Sequence, residues 1–463
     1  MKKFIYPVLF SVLGVFLFTS QSNAFVCVTD SASFQAALTD EQDFQTDNEI
    51  RLAAGTYTLP GSVHFNIETS RSLTINGGWN GNCTVRTTNP RLTKLEGGAT
   101  QAGFDGGGVL LVILDNGVNT PITFSISNLS IRNGSSIYDG GGLSIAHGLS
   151  ATAEATATID ISNVIIELNT TEEWFGSGIA ISDYGTDGGI DVNITKSIVQ
   201  TNNAVGASAA LPGPGGIFID NYGVGAGEIF IARNQILNNT AEADSGGLFI
   251  NNGAKNLTLV NNVIAGNESL SGYGGGLQIE NLLVNGPASG GNVTLTNNTI
   301  TGNFLTGIAG GGISVYMDDP TSILNIYNNI IYGNGFIGPA GDGADIDIFN
   351  DDLGIVVNIY NNDFDNTPTT GFSILNATPN IDFNLNNIDP LFFNAAVNNY
   401  RLDPASPVID MGDNAAPAVP VVDLYGRLRL VGDFVDIGAF EYAPPCDFFV
   451  IPNGIGIATV ICL

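Results

Sequence analysis

Gly216-Ile217-Phe218-Ile219 is followed 31 residues later by Gly247-Leu248-Phe249-Ile250, and this pair of phrases decides the fold. Outward from it the same pattern recurs as Gly142-Leu143-Ser144-Ile145, Gly178-Ile179-Ala180-Ile181, Gly276-Leu277-Gln278-Ile279, Gly312-Ile313-Ser314-Val315 and Gly343-Ala344-Asp345-Ile346, at intervals of 29–38 residues. A constant period of this size signals stacked units. No unit can cover its own apolar face, so neighbours must stack to bury it.

A second repeat runs between the first: Asn163-Val164-Ile165, Lys196-Ser197-Ile198, Asn234-Gln235-Ile236, Asn262-Val263-Ile264, Asn298-Thr299-Ile300, Asn329-Ile330-Ile331 and Asn362-Asp363-Phe364. Its third position is apolar throughout and reads as an inward column. Alternating runs such as Ala157-Thr158-Ile159-Asp160-Ile161 and Leu324-Asn325-Ile326-Tyr327 show the period of two of strands with one buried face. About three short strands per period make one coil of a single-stranded, right-handed parallel β-helix, an all-β solenoid that needs capped ends. The Asn column is expected to stack its amides from coil to coil. Ser31 to Thr39 reads as a short amphipathic helix over the first coil.

Residues 1–24 have the layout of a signal peptide: Lys2 and Lys3, an apolar run from Phe4 to Phe18, then Ser22-Asn23-Ala24. The parts that follow are 25–100 (cap and first coils), 101–388 (central repeats), 389–443 and a tail, 444–463. Fourteen basic residues against 44 acidic ones give a net charge of −30. That balance excludes nucleic acid as a partner, which demands a basic footprint. The mature chain is expected to be a monomer, secreted or on the cell surface, with no membrane insertion. Four cysteines in an exported chain suggest two disulfides with three possible pairings. Cys27–Cys83 with Cys446–Cys462 is preferred, because each would staple one end of the stack.

Chemistry on such a scaffold would appear as side chains at matching places on adjacent coils. Between residues 120 and 400 the basic residues named are Arg132, His147, Lys196, Arg233 and Lys255, which the sequence places on different registers, and no catalytic residue is assigned. Asp318-Asp319 and Asp351-Asp352 are the carboxylate doublets a glycosidase would draw on. Asp342, Asp345 and Asp347 offer oxygen ligands to Ca²⁺, with Asp345 and Asp347 on one strand face, although no cofactor is required. Phe218 and Phe249, with Asp220, Tyr222, Glu280 and Tyr316 close in register, form a candidate sugar platform unless the loop from Ala204 to Gly215 folds over the two rings.

IRLAAGTYTL, SLTINGGW and the repeats resemble bacterial pectin-lyase-like parallel β-helix surface proteins. Asp389-Pro390-Leu391-Phe392, Tyr400-Arg401-Leu402 and the stretch from Asp423 to Tyr442, with Val435-Asp436-Ile437-Gly438-Ala439-Phe440-Glu441, resemble the choice-of-anchor Q domain. The likeness implies export. Arg427 and Arg429 are expected to pair with Asp423, Asp433, Asp436 and Glu441 and lock the last coil. The favoured reading is a secreted or surface structural or adhesive protein able to bind an extracellular glycan or a neighbouring or host cell. The alternative is a Ca²⁺-dependent polysaccharide lyase or glycoside hydrolase.

Overall fold

The computed structural model describes residues 25–43, 48–59, 63–67, 72–98, 108–114, 121–137, 139–148, 156–172, 176–185, 189–205, 213–221, 227–253, 255–282, 291–307, 309–337, 344–350, 355–368, 370–444, 449–452 and 458–461. The signal-peptide reading of 1–24 and the Cys446–Cys462 pairing lie outside these residues.

The chain is a right-handed parallel β-helix. One coil runs through Leu143–His147, Ala157–Ser162, Ile165–Glu167 and Thr170–Thr171 before Ile179–Asp183 begins the next. These four strands belong to sheets designated I to IV, of 10, 12, 11 and 7 parallel strands. The sequence suggests three strands per coil; the fourth is a two-residue strand such as Thr170–Thr171, too short to show a period. Leu143, Ile179, Ile217, Leu248, Leu277, Ile313 and Ile346 pair in sequence down sheet I and are fully buried. Each such side chain contributes about 1.5–3 kcal/mol by leaving water.

Two registers differ from the sequence reading. Ile313 pairs with Ile346 and Ser314 with Asp347, so Asp345-Ile346-Asp347-Ile348 is the repeat unit, two residues past Gly343. In sheet III, Ile166, Val199 and Ile236 form the inward column, so Ile165 and Ile198 sit on the outer face. Asn163 and Lys196 therefore align with Arg233 and with the first Asn of each following Asn-Asn doublet, not with the stacked Asn column. All of these turn positions have φ between +52° and +62°, a conformation Asn tolerates better than most residues.

The second Asn of each doublet builds the amide ladder. Asn234 donates to Asn262, Asn262 to Asn298, Asn298 to Asn329, Asn329 to Asn362 and Asn362 to Asn384, with Nδ2–Oδ1 distances of 3.0–3.1 Å. The other amide hydrogen of Asn262 reaches the Ile231 carbonyl at 2.7 Å, and its backbone N–H reaches the Asn298 Oδ1 at 2.9 Å. A second ladder, missed in the sequence, runs between sheets III and IV from Asn169 through Asn202, Asn239, Asn267 and Asn303 to Asn334, at 2.9–3.0 Å. Asp345 ends it, accepting from Asn334 at 3.0 Å.

At the N-terminal end the expected helix spans Ser31–Asp43. Asp30 caps it, its Oδ1 accepting the Ser33 N–H at 2.8 Å. Phe34, Ala37 and Leu38 plug the first coil. Cys27 and Cys83 form the expected disulfide.

The sequence leads one to expect Arg427 and Arg429, with Asp423, Asp433, Asp436 and Glu441, to lock the last coil; these residues belong to the stretch 388–442. They instead lie along the outer face of sheet III as a strap. The turn residues hold it: Arg233 Nε donates to the Leu424 carbonyl at 3.2 Å, Asn297 Nδ2 to that of Asp436 at 2.9 Å and Asn328 Nδ2 to that of Asp413 at 3.0 Å. Leu424 and Phe440 cover Leu237, Val263 and Ala265, while Leu402, Val408 and Ile437 cover Ile330. Arg429 is buried beneath, donating to the Gly438 carbonyl at 2.9 Å and lying 3.6 Å from Glu441. Arg427 enters this network through its backbone, donating to Asp423.

Asn267→Ala should lower the unfolding free energy by about 3 kcal/mol, because it orphans buried amide groups on both sides, whereas Asn384→Ala at the open ladder end should cost about 1 kcal/mol or less. Urea unfolding of the two variants makes the comparison; equal losses would contradict a ladder-based interior. Arg429→Met strands the buried Glu441 carboxylate and should cost about 3–5 kcal/mol. Earlier proteolytic cutting within the strap than within the coils would report it.

Candidate functional site

Strand parity fixes what sheet I shows to its outer side. Alternate residues of each strand point away from the core, and in-register pairing stacks them into two columns. One column is Ser144, Ala180, Phe218, Phe249, Gln278, Ser314, Asp347 and Ser373; the other is Ala146, Ser182, Asp220, Asn251, Glu280, Tyr316, Phe349 and Leu375.

Phe218 and Phe249 occupy adjacent coils as the sequence suggests, with ring centroids 5.5 Å apart. They are 3% and 8% exposed and cluster with Ala180, so neither ring is offered to solvent. Tyr222 lies outside the described residues, as do Asp342, Asp351, Asp352 and segment 206–212 of the loop considered as their cover.

Further along the strip the outer face opens into a cleft of ≈ 460 Å³. Its floor brings together Gln278, Ser314, Asp347 and Ser373 in one column with Glu280, Tyr316, Phe349 and Leu375 in the other, and Tyr273 and Ala309 form one side. Tyr316 and Phe349 stack at 5.3 Å with 20° between ring planes. Gln278 Nε2 donates to Glu280 Oε1 at 3.0 Å, and Ser373 Oγ donates to Asp347. Glu280 and Tyr316 were singled out from the sequence as sugar contacts, and Asp347 as a calcium ligand. Phe349 was missed because the two-residue shift at Gly343 hid its pairing with Tyr316. Tyr273 carried no signal, being a loop residue outside every repeat.

Asp345 and Asp347 take different partners, Asp347 accepting from Ser373 at the cleft. Asp345 precedes the strand and is spent on Asn334 and on the Asp365 N–H, at 2.9 Å. Among the described residues no group of three His, Cys, Asp or Glu side chains is placed to hold a metal ion. Asp319 accepts from the N–H and hydroxyl of Thr321 at 2.9 and 2.8 Å, closing a turn.

On and beside the strip, burial raises three carboxylates. Burial pushes Asp220 up to about 7, with the charges of Asp183 and Glu280 adding to it. Burial and Glu280 push Asp244 up to about 7 as well, and burial raises Glu280.

Basic residues that the sequence scatters are in fact brought together. Lys196 and Arg233 share the turn column between sheets II and III. At the corner of sheets I and II, His147 Nδ1 lies 2.7 Å from Asp183 Oδ1, and Lys255 Nζ lies 3.7 Å from Asp183 Oδ2. These three are 1%, 1% and 7% exposed. Burial lowers the Lys255 ammonium while Asp183 opposes it. The three side chains form a buried polar cluster at this corner.

No family model matches the chain, and no curated protein matches it either.

Asp220 and Asp244 have folded values above the unfolded carboxylate range, so folding favours their protonated forms. That stabilisation is complete below about pH 4 and drains away as pH rises toward about 7. The melting temperature should therefore be higher near pH 5 than near pH 8 (roughly). Asp244→Asn should narrow that gap; an unchanged gap would remove Asp244 as a contributor.

Proposed function

We propose that the protein is an exported β-helix that holds an extracellular glycan in the sheet I cleft without turning it over, as a structural or adhesive component of a cell surface. The observation that carries this is the stacked Tyr316–Phe349 pair beside Glu280 and Asp347 on the floor of one cleft. Aromatic rings take the apolar faces of sugars, and neighbouring carboxylates accept from their hydroxyls. The Cys27–Cys83 bond supports export, since disulfides persist in oxidising compartments. The resemblance to pectin-lyase-like surface proteins and to the choice-of-anchor Q domain points the same way. A neighbouring or host cell is the partner surface that would display such a glycan.

A hydrolase is the second reading, favoured by Asp220 and Glu280 on one strip with Asp244 in the turn before it, all raised above the ordinary carboxylate range.

Retention on a glycan array followed by a reducing-end assay tests both. Binding without new reducing ends, weakened about tenfold in Phe349→Ala, is the expected result. New reducing ends lost in Glu280→Gln would establish the hydrolase. Chelator-sensitive release of unsaturated uronates would establish the Ca²⁺-dependent lyase.

A further inference from the structure

Resting on the glycan reading, the class of glycan can be narrowed. Gln278 is 3% exposed and lines the cleft. Its Nε2 is committed to Glu280, which fixes the orientation of the amide: reversal would set the Gln278 oxygen against a carboxylate oxygen. The opposite atom, Gln278 Oε1, is buried without a hydrogen-bond partner among the described residues. A buried acceptor left in this way costs about 1–3 kcal/mol, a debt that a donor entering the cleft would cancel.

The surrounding side chains say which donor. Glu280 lies beside Gln278, and Asp347 lies two coils further along the same column. Among the described residues no Lys, Arg or His lines the cleft. A uronate would set carboxylate against carboxylate. A neutral sugar could satisfy Gln278 through a hydroxyl, yet would bring no positive charge to the partly desolvated Glu280 carboxylate. An ammonium group supplies three donors and a positive charge together, and the Tyr316–Phe349 rings add a cation–π attraction.

We propose that the cleft takes a glycan carrying free amino groups, with an ammonium seated between Gln278 Oε1 and the Glu280 carboxylate and a sugar ring laid on Tyr316 and Phe349. The net charge of −30 would draw such a polycation in from a distance, and the cleft would then select it. No covalent step is involved.

The test measures binding of the disulfide-bonded protein to β-1,4-glucosamine oligomers, their N-acetylated counterparts, cello-oligosaccharides and oligogalacturonate of equal length, by calorimetry at low and moderate salt. The glucosamine oligomer should bind at least about tenfold more tightly than the other three. Gln278→Leu and Glu280→Gln should each weaken it about tenfold, and circular dichroism would verify that both variants keep the β-helix. Equal or better binding of acetylated or neutral oligomers overturns the amino-sugar assignment and leaves the glycan reading standing. Preference for oligogalacturonate overturns the charge argument. Glucosamine binding that is untouched by Gln278→Leu, Glu280→Gln and Phe349→Ala is bulk charge attraction and also overturns it. Retention of none of the four overturns both this assignment and the glycan reading on which it rests.

Discussion

The mutual hydrogen bonding of the stacked ladder amides is the constraint on which this molecule depends. An interior Asn is costly unless both its donors and its carbonyl are used. Stacking solves the problem only when the Asn above and the Asn below exist. The solution is collective: Asn262 is satisfied because Asn234, Asn298 and the Ile231 carbonyl are all in place. Coil length can vary, because loops absorb extra residues, but the position of the Asn within its turn cannot. Apolar columns supply the bulk of the burial; the ladders dictate its register.

The strap shows how one sheet of a solenoid can be covered from outside. Sheet III carries Leu237, Val263, Ala265 and Ile330 on its outer face, which would leave an apolar stripe in water. Residues 388–442 remove that stripe from solvent. Turns and short pairings within the strap use part of its backbone, and the helix adds partners through side chains of the left-handed turn residues. Asn297 and Asn328 thus bend the chain and also grip the strap. In each Asn-Asn doublet the first amide points outward to this task while the second fills the interior ladder. Arg429 is held in place by Gly438 and Glu441 rather than by solvent.

Much of this architecture was legible in the chain, for a physical reason: repetition multiplies a weak local signal. One Gly-Ile-Phe-Ile proves little, but seven such phrases at a steady interval specify stacking. What failed was register wherever a repeat lost its marker. Val164 and Ser197 stand where later coils have the ladder Asn, so the nearest polar residue, Asn163 or Lys196, was taken in its place. Gly343 likewise attracted an alignment that pairing assigns to Asp345. A one-residue slip, as at Asn163, turns the other face outward, whereas the two-residue slip at Gly343 keeps the face and misassigns the partner on the next coil. The cleft was half visible for that reason: Glu280 and Tyr316 were found, whereas Phe349 was not. Joining His147, Asp183 and Lys255 required knowing how three coils meet at a corner, and no spacing in the sequence encodes that.

The alternation of sheet I has one more consequence. Inward positions carry cohesion and outward positions carry recognition, so the two vocabularies can be edited independently. The outer strip behaves as a ruler graduated every ~4.8 Å, on which two letters per division can be rewritten without disturbing the rod beneath. Gaining or losing one whole division would lengthen or shorten the inscription while preserving its spacing, a route to new specificities that a closed globular pocket does not offer.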